Sequence, residues 1–565
     1  MINVVRRLSY ILAMALFAAV TIFCCFYLFS GHDALVQWYF KLGNCVYHSQ
    51  SWATDFFTPG IKSDGNMYCI AAILVSLGGL WHVFKRFRSL VDAASPGLPA
   101  KFARIDAIPV IICLIAAALL WHRGNTLTWP AYDEVFSAQN AAGINPFQCI
   151  SYYMLPNNHL LFNLLNGLLF HPAHDKVITG RYLSLLVYSA FIVTLFFWFK
   201  QLLQNRWLAV LASITMSLQF IVWGFSFQAR GYELYLLAEW GMFISLLSWL
   251  QAPRKGWLYV NTVSIVAGYF CMPSFLYFHL AQLLFMLLYM LVFKRKDALF
   301  WRYQLQAVLL VFLCYIPALC FSGLDVIVHN RYVAPMDHYK TLGTFCQWFF
   351  PFFQANYLDH IFSNVQWKDL SLNMTLGLLP LALLFSRSKT HRLFALFYLC
   401  LWLVFFVMVL AMKRPPFERN LIGHYSLSLA GVVLEAWWLA GAIARKVTVV
   451  KFTLFSLVVL LLTFHFITTN DTFLKSTPYE YDVNKSYNEI NDGLYIIPPG
   501  STVAFTDDAF YCKYIYARKG YKTDKCENYD KDYLINQGDD PIAPALADKY
   551  VLFSKAQEYE IYKRK

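Results

Sequence analysis

Charge is scarce in this chain, and that scarcity excludes most soluble folds. Only 14% of the 565 residues are charged, whereas a soluble domain typically carries about 25%. Hydrophobic residues make up 59% of the sequence and aromatic residues 18%. A soluble protein of this length has no interior large enough for so much apolar surface, but lipid accepts it. The composition therefore indicates an integral membrane protein.

Metal-binding spacings are also missing. The sequence contains no Cys-x-x-Cys pair and no Cys/His ligand spacing, and many of its 13 cysteines lie inside apolar runs, where cysteine acts as a small hydrophobic residue. We therefore expect neither a metal nor a cofactor. Cys512 and Cys526 lie in the polar C-terminal segment. They could form a disulfide in an oxidising compartment, or remain two unpaired thiols.

The net charge of +13 does not predict nucleic-acid binding. Lysine and arginine occur in short clusters between apolar runs, where they act as topology signals. The N-terminal apolar run is long and lacks a clear cleavage site, so we interpret it as a retained first helix. No internal repeat is visible, and an inverted-repeat transporter gains no support.

Apolar runs long enough, or nearly long enough, to span a membrane recur along the sequence. They predict about 13 spans, at 8–30, 67–84, 107–121, 178–199, 207–223, 233–250, 257–272, 274–293, 304–321, 371–386, 393–412, 421–442 and 451–468. Pro273 either divides two helices at 257–293 or kinks one long helix.

The basic clusters fall in every second loop, which predicts a cytoplasmic N-terminus. The longer loops at 122–177 and 322–370 and the tail then lie on the outer side. We expect an α-helical polytopic membrane protein with a small extracytoplasmic α/β or α+β domain at 471–565. Two of the predicted spans lie in 1–105 and the others lie in 106–470.

Two adjacent acids, Asp133 and Glu134, lie a few residues beyond the third predicted span. Neighbouring residues on a helix diverge by about 100°, so the two carboxylates would serve different partners. One could accept a proton while the other orients a second group. The alternative is a solvated acid pair at a helix start, which the helix dipole favours.

Several other polar residues lie at the predicted outer rim. His159 begins an asparagine-rich apolar stretch that suits an interfacial helix. Arg181 opens the next span and could simply be a snorkelling anchor. Arg230 and Glu233 could pair with each other, or Arg230 could bind an anionic headgroup. The three cations Lys413, Arg414 and Arg419 break the positive-inside pattern, which suggests that they hold a lipid-linked phosphate, although an ordinary basic loop is the alternative.

Taken in order, these motifs resemble the GT-C membrane glycosyltransferases, and most closely the branch of bacterial aminoarabinose transferases and protein O-mannosyltransferases. The likeness covers roughly 107–470. The residues that carry it are Asp133-Glu134, Asn157-Asn158-His159, Arg181 with Ser184, Gln228 with Arg230 and Tyr232, and Arg419. The chain departs from the family in its N-terminal addition, and in His-Leu-Leu where the family usually has His-Pro-Pro.

The resemblance implies a polyprenyl-phosphate-sugar donor, used with inversion on the extracytoplasmic face of the bacterial inner membrane. It implies a glycolipid, polysaccharide or protein acceptor, and no metal. On this basis Asp133 is the expected base and Glu134 its partner in positioning a substrate. The expected phosphate cations are Arg230 and Arg419, followed by Arg414 and Lys413. The expected substrate contacts are Asn158, His159, Arg181, Tyr232 and Glu233.

Two other classes of function remain. A transporter or flippase for a lipid-linked saccharide would carry polar residues deep in its spans, and we expect these midspans to be almost purely apolar. A structural or sensory protein would present the tail domain and would leave the shared rim position of Arg230 and Arg419 unexplained.

Overall fold

Helices dominate the structure, a computed structural model. It describes residues 2–42, 52, 56–89, 106–153, 158–171, 174–329, 333, 341–353, 378–444, 447–476, 487–523, 529–537, 541–556 and 559–565. The first helices are α1 (Ile2–Phe29), α2 (His32–Lys41), α3 (Pro59–Ser89), α4 (Ala107–Leu127), α5 (Tyr132–Ser137), α6 (Pro146–Ser151), α7 (Leu160–Leu169), α8 (Lys176–Leu203), α9 (Arg206–Ser217) and α10 (Phe220–Ser226). The remainder are α11 (Tyr232–Gln251), α12 (Lys255–Cys271), α13 (Phe275–Phe293), α14 (Ala298–Phe321), α15 (Leu324–Val328), α16 (Leu342–Phe353), α17 (Lys389–Met412), α18 (Ile422–Ala444), α19 (Thr448–Ser476), α20 (Phe510–Arg518) and α21 (Pro544–Ala547).

Within the described ranges, nine helices are long and apolar enough to cross a membrane, or ten if a bent pair forms one span. That pair is α9 and α10, which meet at 78° inside the predicted run 207–223. The predicted span 371–386 lies partly outside the described residues, and its described part contains the 3₁₀ helix Leu379–Phe385. The chain is therefore a multi-pass membrane protein, while the count of about 13 spans stays a prediction.

The predicted break at Pro273 is confirmed. α12 ends at Cys271 and α13 begins at Phe275, so the long apolar stretch forms two helices. Proline has no N–H to donate, and its ring clashes with the preceding turn. Gly268 lets the ring of Phe275 pack directly against the backbone of α12, because any Cβ at position 268 would collide with that ring. The sharp turn places Met272 and Pro273 beside a large cavity.

The N-terminal helices pack on the core. α1 and α3 contact each other extensively, and α3 lies along α14. The hydroxyl of Tyr27 in α1 donates a hydrogen bond to the carbonyl oxygen of Cys320 in α14, at 2.8 Å. Gly65 of α3 gives the Tyr27 ring room to approach. This addition therefore buttresses a helix that also lines the cavity.

The C-terminal tail contains a four-stranded sheet, which agrees with the small α/β or α+β domain predicted for the tail. The strands are β1 (Val503–Phe505), β2 (Tyr533–Gln537), β3 (Tyr550–Lys555) and β4 (Tyr559–Arg564), and their order is β1-β2-β4-β3. β1 and β2 are parallel, whereas the other pairs are antiparallel. α20 lies between β1 and β2 in sequence, as a parallel connection requires. The sheet is therefore mixed.

The tail docks on the segment that carries the acidic pair. The Tyr511 hydroxyl donates to the carbonyl oxygen of Pro130 at 2.7 Å, and the rings of Tyr487 and Trp129 stack at 4.2 Å. Burial raises the pKa of Tyr511. Cys512 is buried on the same helix, but Cys526 lies outside the described residues, so their pairing stays a prediction. The tail thus lies on the same face of the protein as Asp133.

We expect Tyr511→Phe to loosen this docking. The change leaves the ring in place but removes the donor to a buried carbonyl, a loss of about 1–3 kcal/mol. Thermal unfolding in detergent should show a lower midpoint, and limited proteolysis should release the tail sooner. Tyr495→Phe is the matched control, because Tyr495 is 68% exposed in the same domain. Equal behaviour of the two variants would contradict the docking role.

Candidate active site

The acidic pair lies at the start of a short helix, and the side chain of Glu134 caps that start. α5 starts at Tyr132, and Glu134 occupies its third position. The Glu134 carboxylate reaches back to accept a hydrogen bond from the N–H of Ala131 at 2.8 Å. This is half of a capping box, in which the third residue closes the helix start. α5 then runs into a π-helical turn at Ala138–Ala142, a feature that often marks functional sites.

Glu134 forms a buried ion pair with Arg181. Arg181 Nε and Nη2 donate to the two carboxylate oxygens at 3.0 and 2.8 Å, and the two side chains are only 7% and 1% exposed. The N–H of Ala229 donates to the same carboxylate at 2.6 Å. Arg181 also donates to Asn125 and to the carbonyl oxygens of Thr128 and Trp129. This carboxylate therefore joins the start of α5, the N-terminal end of α8 and the segment before α11.

Asp133 points elsewhere, as the step of about 100° between adjacent helical residues requires. Its side chain is 34% exposed and lines the large cavity. One carboxylate oxygen lies 3.6 Å from Arg230 Nη2 and 3.7 Å from Arg419 Nη1. Arg230 and Arg419 are 189 positions apart in sequence, yet both place a positive charge beside the Asp133 carboxylate. The sequence placed all three residues at the outer rim, and the structure brings them together.

Arg230 is buried behind Asp133. Its side chain is 2% exposed, and Nη1 donates to the carbonyl oxygen of Asp133 at 3.0 Å and to the hydroxyl of Ser137 at 3.1 Å. Its Nη2 lies 3.5 Å from the Tyr232 hydroxyl. The pairing of Arg230 with Glu233 that the sequence allowed is wrong, since Arg230 pairs with Asp133. Glu233 is fully buried in α11, and neither carboxylate oxygen has a hydrogen-bond partner among the described residues.

His159 lies at the start of α7 and lines the same cavity. Its Nδ1 accepts a hydrogen bond from the N–H of Gly231 at 3.0 Å, and its ring meets the Tyr232 ring edge-on at 4.8 Å. Burial holds the pKa of His159 well below its usual value, and the charges of Arg230 and Arg419 lower it further. The ring is therefore neutral, with its proton on Nε2.

Asn158 has a structural position. Its amide donates to the carbonyl oxygens of Cys149 and Tyr152, both at 2.8 Å, and its carbonyl oxygen accepts from Asn163 at 2.9 Å. These bonds fix the approach to α7 and so position His159. The structure places Asn158, Glu134 and Glu233 outside the cavity wall, whereas Tyr232 lies in it.

The connection before α18 carries the three cations Lys413, Arg414 and Arg419. Arg414 and Arg419 line the cavity, and the Arg419 guanidinium lies 4.7 Å above the ring of Phe417. Lys413 is exposed and adopts a left-handed conformation, with φ 49°, where α17 ends. Pro415 and Pro416 come after Arg414, and they prevent the helix from continuing. Two cations from one short loop thus face the same space as Asp133.

The cavity has a volume of about 740 Å³, within the range of about 300–1,000 Å³ that is common for ligand sites. Asp133, His159, Arg414 and Arg419 form its polar part. The remaining wall is largely aromatic and aliphatic and comes from the facing sides of α12, α13, α14 and α17. It includes Tyr269, Tyr277, Val311, Phe312, Tyr315, Leu319 and Met408. Sequence reasoning missed these residues, because a tyrosine inside an apolar run carries no signal of its orientation. Across the described ranges, no three His, Cys, Asp or Glu side chains form a group that could hold a metal.

Breaking the buried ion pair should destabilise the protein. Arg181→Met leaves the Glu134 carboxylate buried without its partner, which typically costs about 3–5 kcal/mol. The double variant with Glu134→Gln removes both charges and should recover part of that loss. Thermal unfolding in detergent measures both effects, with Arg302→Met, at an exposed arginine of α14, as the control. A single variant as stable as the control would refute the role of the pair.

The neutral state of His159 predicts a pH dependence of stability. As the pH falls from about 7 to about 5, the unfolded chain protonates this histidine while the folded chain does not. The free energy of unfolding should therefore fall, by at most about 1.4 kcal/mol per pH unit from this residue. In His159→Gln the fall should be shallower. His122→Gln, at an exposed position, is the control and should keep the wild-type slope. Equal slopes in all three proteins would contradict the assignment.

Comparison with known proteins gives structural likeness without sequence likeness. No protein-family model matches the sequence, and no curated protein matches it. The chain is similar to the crystal structure of ArnT from Cupriavidus metallidurans bound to undecaprenyl phosphate, with a TM-score of 0.47 and 11% identity. It is similar to apo ArnT from the same organism with a TM-score of 0.44 and 11% identity. Each match covers 80% of this chain and 97% of the ArnT chain.

Proposed function

We propose that this protein is an inverting glycosyltransferase of the GT-C type in the bacterial inner membrane. It would move a sugar from a polyprenyl-phosphate donor to an acceptor hydroxyl on the extracytoplasmic face. The acceptor would be a glycolipid, a polysaccharide or a protein. The N-terminus would lie in the cytoplasm and the tail domain outside. The observation that carries the proposal is one cavity with a carboxylate and two arginines in its polar part and an apolar wall along the membrane helices.

The two parts of the cavity match the two parts of such a donor. An isoprenoid chain needs an apolar wall, which α14 and α17 supply through Val311, Phe312, Leu319 and Met408. The phosphate needs fixed cations, and guanidinium groups match phosphate oxygens in a bidentate manner. Arg419 and Arg414 provide these groups, and the exposed Lys413 lies next to them. The sugar would then lie near Asp133.

The chemistry follows from this arrangement. The acceptor oxygen attacks the anomeric carbon while its proton passes to the Asp133 carboxylate, which acts as general base. The bond from the anomeric carbon to the phosphate oxygen breaks, and its electron pair leaves with the phosphate. Preorganised positive groups stabilise the negative charge that develops there. His159, a neutral donor at the cavity wall, is suited to bind a sugar or phosphate oxygen.

The remaining candidates act by positioning. Arg230 is buried and bonded to Asp133, so we assign it to orienting the base, with a secondary electrostatic effect on the phosphate. Glu134 and Arg181 hold the backbone that carries Asp133, and Asn158 holds His159. Tyr232 contributes its ring to the cavity wall.

A flippase for a lipid-linked saccharide is the second candidate, and one observation favours it. The expectation of almost purely apolar midspans is wrong, because Asn261, His279, Gln282 and Gln304 are buried within the membrane helices. Glu239 is also buried in α11, where its carboxylate lies against Gly423 of α18. Such residues are typical of transport pathways, although they also join helices.

Asp133→Asn should abolish sugar transfer while leaving donor binding and folding intact. The amide keeps the shape of the carboxylate but cannot accept the proton, and loss of a general base lowers rates by about 10²–10⁴-fold. Purified protein would be given polyprenyl-phosphate sugars and a panel of acceptors, with product measured by mass spectrometry. Asp548→Asn, on the tail surface, is the matched control.

Wild-type turnover in Asp133→Asn would reject the base assignment. Wild-type protein that carries labelled donor across a sealed liposome and forms no glycoside would favour the flippase instead.

A further inference from the structure

A chain of hydrogen bonds runs from the cavity wall into the interior of the helix bundle. The Tyr269 hydroxyl lies 3.1 Å from His279 Nδ1, and His279 Nε2 lies 3.0 Å from Gln304 Oε1. Gln304 Nε2 donates to Asn261 Oδ1 at 3.0 Å, and Gln282 Nε2 donates to Gln304 Oε1 at 3.0 Å. The histidine and the three amides are at most 4% exposed. They come from α12, α13 and α14, so the chain joins three helices.

A backbone carbonyl fixes the direction of every bond in this chain. Asn261 Nδ2 donates to the carbonyl oxygen of Met242 at 3.0 Å. A carbonyl oxygen only accepts, so the amide of Asn261 cannot be turned around. Its Oδ1 must then face Gln304 Nε2, and Gln304 must present its own oxygen to His279. The orientation set at Met242 is therefore transmitted to the histidine.

His279 in turn fixes the direction of its hydrogen bond with Tyr269. Because Gln304 Oε1 only accepts, His279 Nε2 must carry a proton. A charged ring at 2% exposure would be expensive, so the imidazole is neutral and its Nδ1 is an acceptor. The Tyr269 hydroxyl must then donate its hydrogen to Nδ1. Its oxygen keeps only acceptor capacity for anything bound in the cavity that Tyr269 lines.

We propose that Tyr269 is a specificity-determining residue whose oxygen accepts a hydrogen bond from a sugar hydroxyl of the donor, with His279 as the positioning residue that fixes its polarity. This inference rests on the proposed function. An acceptor held in this way favours a group that can donate and rejects one that can only accept. Replacement of the sugar hydroxyl that faces Tyr269 by fluorine should therefore weaken binding.

The test measures binding to purified, full-length protein by competition. The probes are undecaprenyl phosphate itself, undecaprenyl-phosphate hexoses, and versions of the best-bound hexose in which one hydroxyl at a time is replaced by fluorine. In the wild type, one position should lose about tenfold in affinity on fluorination, the effect of a single buried hydrogen bond left unmade. In Tyr269→Phe, the intact and fluorinated sugars at that position should bind within about twofold of each other. Undecaprenyl phosphate should bind both proteins equally.

His279→Phe tests the relay separately. It leaves the Tyr269 hydroxyl free to rotate and donate, so the discrimination between hydroxyl and fluorine should fall although the tyrosine is present. A merely structural role would weaken all probes alike. Tyr259→Phe, the same change at the other end of α12, should keep the wild-type ratio. If His279→Phe does not fold, His279→Gln replaces it. The ratio of the affinities for intact and fluorinated sugar in Tyr269→Phe then decides whether Tyr269 has the proposed role.

The outcomes separate this inference from the proposed function. Protein that binds no undecaprenyl phosphate overturns the proposed function. Protein that binds it but shows no fluorine-sensitive position, or keeps the wild-type ratio in Tyr269→Phe, overturns only the role of Tyr269.

Discussion

The site depends on one buried carboxylate, that of Glu134. It accepts hydrogen bonds from Arg181 and from the backbone of Ala131 and Ala229. Asp133 precedes it directly, and Arg230 and Gly231 follow Ala229. Gly231 in turn holds His159 through its N–H. A shift of this carboxylate would therefore move the proposed base, the arginine behind it and the cavity histidine together. Buried ion pairs are weak evidence of stability, but they are well suited to fixing geometry.

The glycine at 231 shows how tight this arrangement is. A Cβ there would lie 2.7 Å from His159 Nδ1, inside the contact limit of a ring that cannot move aside. The close approach allows the backbone N–H to reach the ring, which fixes the tautomer and leaves Nε2–H for the cavity. Asp133 contrasts with these residues. It is partly exposed and balanced by guanidiniums at 3.6 and 3.7 Å, which is long for a direct hydrogen bond. The rigid part of the site thus supports a carboxylate that still has room for a ligand.

The sequence predicts the membrane class, most helix positions and the small α/β or α+β domain of the tail. It does so because the length and spacing of hydrophobic runs reflect burial in lipid or in a sheet. It also places Asp133, Arg230 and Arg419 at one rim. It predicted different partners for Asp133 and Glu134 but could not identify those partners, since both are acids at a helix start. Their difference arises from Arg181, 47 residues farther along the chain, which only the packing of α8 brings close. The apolar wall was hidden for a similar reason. Hydropathy counts Tyr269 and Tyr315 as parts of spans and cannot tell a lipid-facing side from a cavity-facing one.

The polar residues inside the spans need a separate physical account. An unsatisfied polar group in lipid costs several kcal/mol, yet α12, α13 and α14 share a histidine and three amides. Their bonds close on one another, on Tyr269 and on the Met242 carbonyl, so each of the four side chains is held by at least two hydrogen bonds. A transport pathway needs groups that exchange partners as a substrate passes. A network locked at a backbone carbonyl cannot do so without breaking several bonds at once. Such a network instead holds three helices in register behind a cavity wall, as the proposed glycosyltransferase requires in order to present fixed groups to a sugar.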